Sequence, residues 1–257
     1  MDRPRDPLPT RVQGLPALPP EFDLVLDDGL QEIGLDLPRP ARAILETHVR
    51  LLVAWNAAIN LTAIRDPVEV ARRHVLDSLT ALPELRRLGI RSFVDLGSGG
   101  GFPGLSLAAA LPADRALLVE SIGKKATFLE TVVEATGLAD RVRVAARRAE
   151  DVAAEAVNRE RWPAALARAV GPLPDLVELA FPLLEPGGAL VAWKGRLGAA
   201  ELEAARRAIA ALGGGRLAVV ATPSPGQPEH RLAIATKRGR TGDRFPRSPA
   251  TRKRLPW

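Results

Sequence analysis

The chain has 257 residues, of which 46% are hydrophobic, enough for one sizeable domain with an appendage and too apolar for general disorder. It has no cysteine, which excludes disulfides, zinc–thiolate sites and cysteine nucleophiles and suits a reducing, cytoplasmic setting. The net charge of +6 favours a polyanionic partner, and from Arg231 onward nine Lys or Arg face one acid, Asp243.

Residues 1–21 are charged and proline-rich, with six prolines in the first twenty positions, and read as a flexible arm, not a secretory signal. No apolar run approaches the roughly 18 residues that a membrane span needs, so no membrane partner is expected. Residues 22–90 read as a helical cap. One helix is expected near Phe22–Gly34. A second, from Pro40 to about Asn56, sets Ile44, Leu45, His48, Leu51, Leu52 and Trp55 on one stripe. A third starts at Asp66, an N-cap followed by Pro67, and reaches about Leu82.

From Arg91 the pattern alternates. Short apolar runs predict strands at Ser92–Leu96, Ala116–Glu120, Val142–Ala145, Ala164–Ala167, Ala189–Trp193, Leu217–Ala221 and Leu232–Ala235. Helices are expected between them at Gly104–Leu111, Lys124–Thr136, Glu150–Arg159, Leu173–Leu184 and Ala199–Leu212. The last two strands are joined by a Pro/Gly-rich loop without a helix, which makes the last strand antiparallel. Residues 91–238 are thus expected to form a doubly wound α/β domain with a seven-stranded sheet. Residues 239–257 read as a loosely packed basic extension.

The segment Phe93-Val-Asp-Leu-Gly-Ser-Gly-Gly-Gly-Phe-Pro-Gly104 is a strand, a glycine-rich turn and a helix start. Gly97, Gly99 and Gly101 let the backbone approach a ligand, and the helix aims free N–H groups at it. Gly99–Gly104 also fits the G-x-G-x-x-G pattern of dinucleotide sites. Two features argue against that reading. Counting from Gly97, Phe102 occupies the third glycine position, and Asp95 beside the loop suits a cationic or amino-bearing cofactor better than a pyrophosphate. Glu120, at the tip of the second strand, can accept from both hydroxyls of an adenosine ribose; it could equally be a solvated strand-end charge or a helix cap. Ala149-Glu150-Asp151 could border an adenine, although helix capping by Glu150 or Asp151 alone accounts for the acids there.

Arg168 and Lys194 end the fourth and fifth strands, where ligands bind in such sheets, and together they suit a polyanionic substrate. His74 and Asp77, three apart on one helix, could be a base and its orienting acid, or a helix-surface hydrogen bond or packing contact. The three histidines are scattered without metal-ligand spacing, so no metal is expected. No nucleophile elbow or Ser/His/Asp set is present.

These residues together resemble a known family. Trp55-Asn56-Ala-Ala-Ile-Asn60-Leu-Thr62, Arg73-His74-Val-Leu-Asp77-Ser78, Val94–Gly104, Val119-Glu120-Ser121 with Lys124-Lys125, Ala167-Arg168-Ala169, Trp193-Lys194-Gly195, Glu229-His230-Arg231 and Arg244-Phe-Pro-Arg247 are similar, in order, to the bacterial small-subunit ribosomal RNA guanine-N7 methyltransferases (RsmG, or glucose-inhibited division protein B). The similarity spans residues 40–257. It departs at Ser106, where the family often has proline, and the first 40 residues match nothing in it.

The resemblance implies a class I S-adenosylmethionine-dependent methyltransferase, Rossmann-like in fold, acting on one guanine N7 of 16S rRNA, free or in the small subunit or its precursor. It implies that Asp95, Gly97, Gly99, Gly101, Phe102, Glu120, Ser121, Ala149, Glu150 and Arg168 hold the cofactor, with Arg168 and Lys194 positioning substrate. Arg72, Arg73, His74, Lys194, Arg231, Arg244, Arg247, Arg252, Lys253 and Arg254 are the residues expected to meet RNA, and the protein is expected to be monomeric. The alternatives are a methyltransferase on another RNA, a protein or a small molecule, a nicotinamide-dependent oxidoreductase, and a non-catalytic RNA-binding protein.

Overall fold

A computed structural model describes residues 7–112, 114–222, 225 and 227–257. Strands β1 (Ser92–Leu96), β2 (Arg115–Val119), β3 (Val142–Ala145), β4 (Trp162–Arg168), β5 (Leu184–Lys194), β6 (Gly215–Ala221) and β7 (Arg231–Lys237) form one sheet in the order β3-β2-β1-β4-β5-β7-β6. Only β7 runs antiparallel to its neighbours, as the helix-free loop before it predicts. After β3 the chain crosses back to the far side of β1, so the order reverses between β1 and β4. The carboxyl ends of those two strands therefore open a crevice.

Period-two alternation divides the strand side chains between two cores. Phe93, Ala164, Leu166, Val191 and Trp193 face one side, where helices α6 (Gly104–Ala110) and α7 (Gly123–Ala135) pack. The same core takes in α1 (Pro20–Glu32) and α2 (Arg39–Asn56), so the helical cap has no interior separate from the sheet's. Val94, Leu96, Ala165, Ala167, Leu190 and Ala192 face the other side, against α8 (Ala149–Ala154), α9 (Leu173–Ala180) and α10 (Ala199–Ala211).

The third cap helix is not regular. Asp66 accepts from Val68 N–H at 3.0 Å and starts α3 (Pro67–Val70) as expected. A π-helical stretch, Ala71–Leu76, then leads into α4 (Asp77–Leu79), and a further short helix, α5 (Leu82–Arg87), follows. π turns inside helices re-aim side chains and occur often at functional sites. Two expected helices are shorter than their patterns suggest. Glu155 is already extended after α8, and α9 ends at Ala180 because Leu184 begins β5.

The described residues of both chain ends are docked on the rest of the protein; residues 1–6 of the expected arm lie outside the described residues. Residues 7–19 lie against the cap: Trp55 Nε1 donates to the Pro9 carbonyl at 2.7 Å, Arg50 donates to the carbonyls of Val12, Leu15 and Pro16, and Leu8, Val12, Leu15 and Leu18 pack on the core. The extension from residue 239 is docked as well. Phe245 is buried, Arg159 donates to the carbonyls of Thr241, Gly242 and Phe245, and helix α11 (Pro249–Arg254) follows. Composition reads one as a flexible arm and the other as a loosely packed extension; their described residues are held by polar anchors from α2 and from the turn after α8.

Candidate active site at the carboxyl ends of the strands

The glycine loop leaves β1 with Gly97 at φ 69°, a left-handed conformation that a side chain resists. Its N–H donates to the Val119 carbonyl at 2.8 Å, and a Cβ there would lie 2.8 Å from Val170. Gly99 and Gly101 are also left-handed. Gly104 is glycine for a different reason: its N–H donates to Asp95 Oδ2 at 3.1 Å, and a Cβ would stand 2.5 Å from that oxygen and 2.5 Å from Leu118. Asp95 is thus sealed beneath the loop, and burial pushes its carboxyl up to about 6, opposed in part by its hydrogen bonds.

Glu120 joins two loops. Oε2 accepts from Gly99 N–H at 2.9 Å and Oε1 from Ile122 N–H at 2.8 Å, which leaves each oxygen a lone pair for a hydroxyl. Beside it, a cleft of about 230 Å³ is lined by Gly97, Ser121, Ala149, Glu150 and Val170, among others. It lies where β1, β2 and β3 end. An adenosyl group fits this setting: bare backbone at Gly97, a carboxylate at the β2 tip, and a pocket beyond it toward β3.

On the other side of the loop, Phe102 lies between two imidazoles, 4.6 Å from His48 and 5.0 Å from His74 in stacked geometry. Burial lowers both histidines to about 4, with the Arg168 charge adding to the effect at His74, so both rings are neutral at pH 7. His48 Nε2 lies 2.7 Å from the Gly100 carbonyl. His74 Nδ1 accepts from Arg168 at 3.0 Å, which places its proton on Nε2, 2.7 Å from Thr62 Oγ1. The Arg168 guanidinium also donates to Asp77 Oδ2 at 2.9 Å and stands 5.5 Å from the centre of the Phe102 ring. Asp77 Oδ1 lies 2.8 Å from His230 Nδ1. His74 and Asp77 are therefore neither a base–acid pair nor a surface contact; both orient Arg168. Directly after it, Ala169 is held at φ 58°, a strained conformation for a residue with a Cβ.

Of the two strand-end cations, only Arg168 enters this assembly. Lys194 pairs with Glu201 at 2.8 Å and donates to the Gly171 carbonyl at 3.0 Å. Among the cations expected at RNA, Arg73, Arg244, Lys253 and Arg254 are exposed, Arg72 pairs with Glu69, and Arg231 donates to nearby carbonyls. Arg247 and Arg252 point inward: Arg247 pairs with Glu178, which would otherwise be buried without a counter-charge, and Arg252 pairs with the part-buried Glu150. His48, Thr62 and Val170 were not singled out as site residues from the sequence. His48 gave only a core signal, its place on the apolar stripe of α2, whereas Thr62 belongs to the W-N-x-x-x-N-L-T segment.

A family model described as GidB, rRNA small subunit methyltransferase G, matches residues 41–230. The chain is 42% identical over 223 residues to the Ribosomal RNA small subunit methyltransferase G of Chloroflexus aggregans, covering 87% of this chain and 93% of that one. It is 42% identical to its counterpart in Rubrobacter xylanophilus, with 87% and 86% covered. Among solved structures, the O-methyltransferase from Bacillus cereus superposes with a TM-score of 0.56 at 19% identity, over 82% of this chain and 97% of that one. The O-methyltransferase TomG from Streptomyces achromogenes gives 0.55 at 16%, over 84% and 99%. These two likenesses bear on the fold, which is that of the class I methyltransferases. The chain belongs to the GidB family of rRNA small subunit methyltransferase G proteins.

Proposed function

We propose that the protein transfers a methyl group from S-adenosylmethionine to N7 of one guanine in 16S rRNA, acting in the cytoplasm as a monomer on the small subunit or its precursor. The observation that carries this reading is the pairing of a glycine-lined cleft at the ends of β1–β3 with the Phe102–Arg168 assembly beside it, in a chain of this family. Bound in the cleft, S-adenosylmethionine supplies an electrophilic methyl on a sulfonium. Gly97 provides bare backbone, Glu120 takes the ribose hydroxyls, and Ala149 and Glu150 border the adenine.

Guanine N7 carries an in-plane lone pair and no proton, so methylation there needs no general base. The neutral His74, with both nitrogens engaged, fits a reaction that removes no proton at this position. The work left to the protein is alignment of nucleophile, methyl and sulfur. Arg168 is fixed by Asp77 and His74, and the guanidinium N–H groups not spent on them are suited to hold guanine O6 without breaking that ion pair. The exposed Arg73, Arg244, Lys253 and Arg254 supply sequence-independent contacts to the RNA backbone.

Cells with and without the gene provide the test. Mapping N7-methylguanine in 16S rRNA is expected to show one guanine modified only where the gene is present; identical maps would refute the reading.

A further inference from the structure

We infer that Arg252 belongs to the cofactor cleft and not to the RNA surface, and that the docked C-terminal segment completes the adenosyl half of the site. The inference rests on the donor reading above. Arg252 is one of the residues lining the cleft, although it comes from α11, far along the chain from the β1–β3 ends that form most of the rest. Its Nη2 donates to Glu150 Oε1 at 2.5 Å, and the two side chains are only 12% and 16% exposed.

The arginine does not reach the cleft by chance of a swinging tail. Its Nη1 donates to the Arg247 carbonyl at 2.8 Å. Arg247 in turn donates from Nε and Nη2 to Glu178, at 2.6 to 3.1 Å, and lies 4.4 Å above the Trp257 ring. Trp257 Nε1 donates to the same carboxylate at 2.7 Å, and the Glu178 side chain is fully buried in α9. Ser248 caps α11 by accepting from Thr251 N–H at 3.2 Å. The position of Arg252 is thus set by a chain of contacts running down to the core beneath α9.

Charge accounting gives the role. Three cations, Arg147, Arg148 and Arg252, line the cleft with one acid, Glu150. Arg147 is already engaged by Glu155. Arg252 is therefore the partner that fixes Glu150, and an arginine so neutralised is a poor phosphate ligand, since meeting RNA would break a shielded ion pair. Fixed through Oε1, Glu150 offers Oε2 as an acceptor for an exocyclic amine such as the N6 group of adenine. Lys253 and Arg254, next in sequence and exposed, are the RNA-facing members of the same helix. Binding linkage then follows: a donor that needs the assembled cleft holds the tail down, and a docked tail tightens the donor.

The test is calorimetric titration with S-adenosylhomocysteine, alongside retention of 16S rRNA on a filter. Arg252→Ala is expected to weaken S-adenosylhomocysteine about tenfold, the loss of one charge-assisted contact. Arg252→Lys should fall between, and Arg252→Ala should add little in a Glu150→Gln background. In the wild type the ligand should slow amide exchange over residues 249–257, and in Arg252→Ala it should not. Lys253→Ala with Arg254→Ala should weaken RNA retention and leave the S-adenosylhomocysteine isotherm as it was. A change of less than twofold in the Arg252→Ala isotherm, with RNA retention reduced, would return Arg252 to the RNA surface and overturn the inference while the donor reading stands. A wild-type protein without any S-adenosylhomocysteine isotherm would remove the donor reading and this inference with it.

Discussion

The guanidinium of Arg168 donates to Asp77 Oδ2 at 2.9 Å across ninety-one residues of chain, with the arginine side chain 13% exposed and the aspartate 1%. That contact fastens the helical cap to the end of β4, where the sheet order reverses. Burial alone would raise the Asp77 carboxyl; its hydrogen bond to His230 and the Arg168 charge outweigh burial and lower it. Trp193 Nε1 donates to the Asp77 carbonyl at 2.8 Å, so β5 is tied to the same point.

Removing the Asp77 charge leaves Arg168 shielded from water without its carboxylate. Asp77→Asn is expected to destabilise the fold by about 3 kcal/mol in urea unfolding. Methyl transfer should drop by more than the stability loss explains, since Arg168 also loses its aim. Unchanged stability would mean that the pair contributes nothing to holding cap and sheet together.

Gly104→Ala tests the sealing of Asp95. A Cβ would meet Asp95 Oδ2 and Leu118 at 2.5 Å each, and neither neighbour is free to move away, so a loss of about 1–3 kcal/mol is expected, with weakened donor binding. Gly137, at φ 69° with nothing within 4 Å, offers the contrast: Gly137→Ala should cost about 1 kcal/mol of backbone strain and leave donor affinity untouched. Equal donor affinity in the two variants would detach Gly104 from the site.

The buried Asp95 makes a specific pH prediction. Its folded pKa, about 6, lies above the ordinary value of 3.8, so between these pH values the native state binds more protons than the unfolded one. This group's contribution to stability is greatest below pH 3.8 and is lost as pH rises toward 6. The unfolding free energy of Asp95→Asn minus that of the wild type should therefore increase across that window and flatten above it. A difference independent of pH would show that the carboxyl titrates normally.

His48 should act in the opposite sense. Its folded pKa of about 4 lies below the ordinary 6.5, so the stability it allows is present above pH 6.5 and is lost on acidification toward 4. His48→Gln should be less stable than the wild type at pH 7 and yet lose less stability between pH 6.5 and 4. A parallel decline in both proteins would contradict the neutral, buried imidazole.

What the sequence made legible was local. The short apolar runs that hold Phe93 and Val94, or Leu190 and Val191, marked the strands, and the loop from Gly97 to Gly104 announced itself by glycine spacing alone. Asp77 with Arg168 and His230 with Asp77 did not, because contacts between a cap helix and distant strand ends leave no periodic trace. The extension after residue 239 misled for a related reason. Its prolines and arginines match a solvated tail, while the buried carboxylate that anchors it, Glu178, sits on α9 where helix periodicity gives no hint of charge.

The most direct measurement incubates purified protein with isotopically labelled S-adenosylmethionine and small ribosomal subunits, then identifies the labelled nucleoside and its position by mass spectrometry. Label is predicted in N7-methylguanosine at a single 16S position. Label on protein or at another base atom, or none from a protein that binds the donor, would contradict the account.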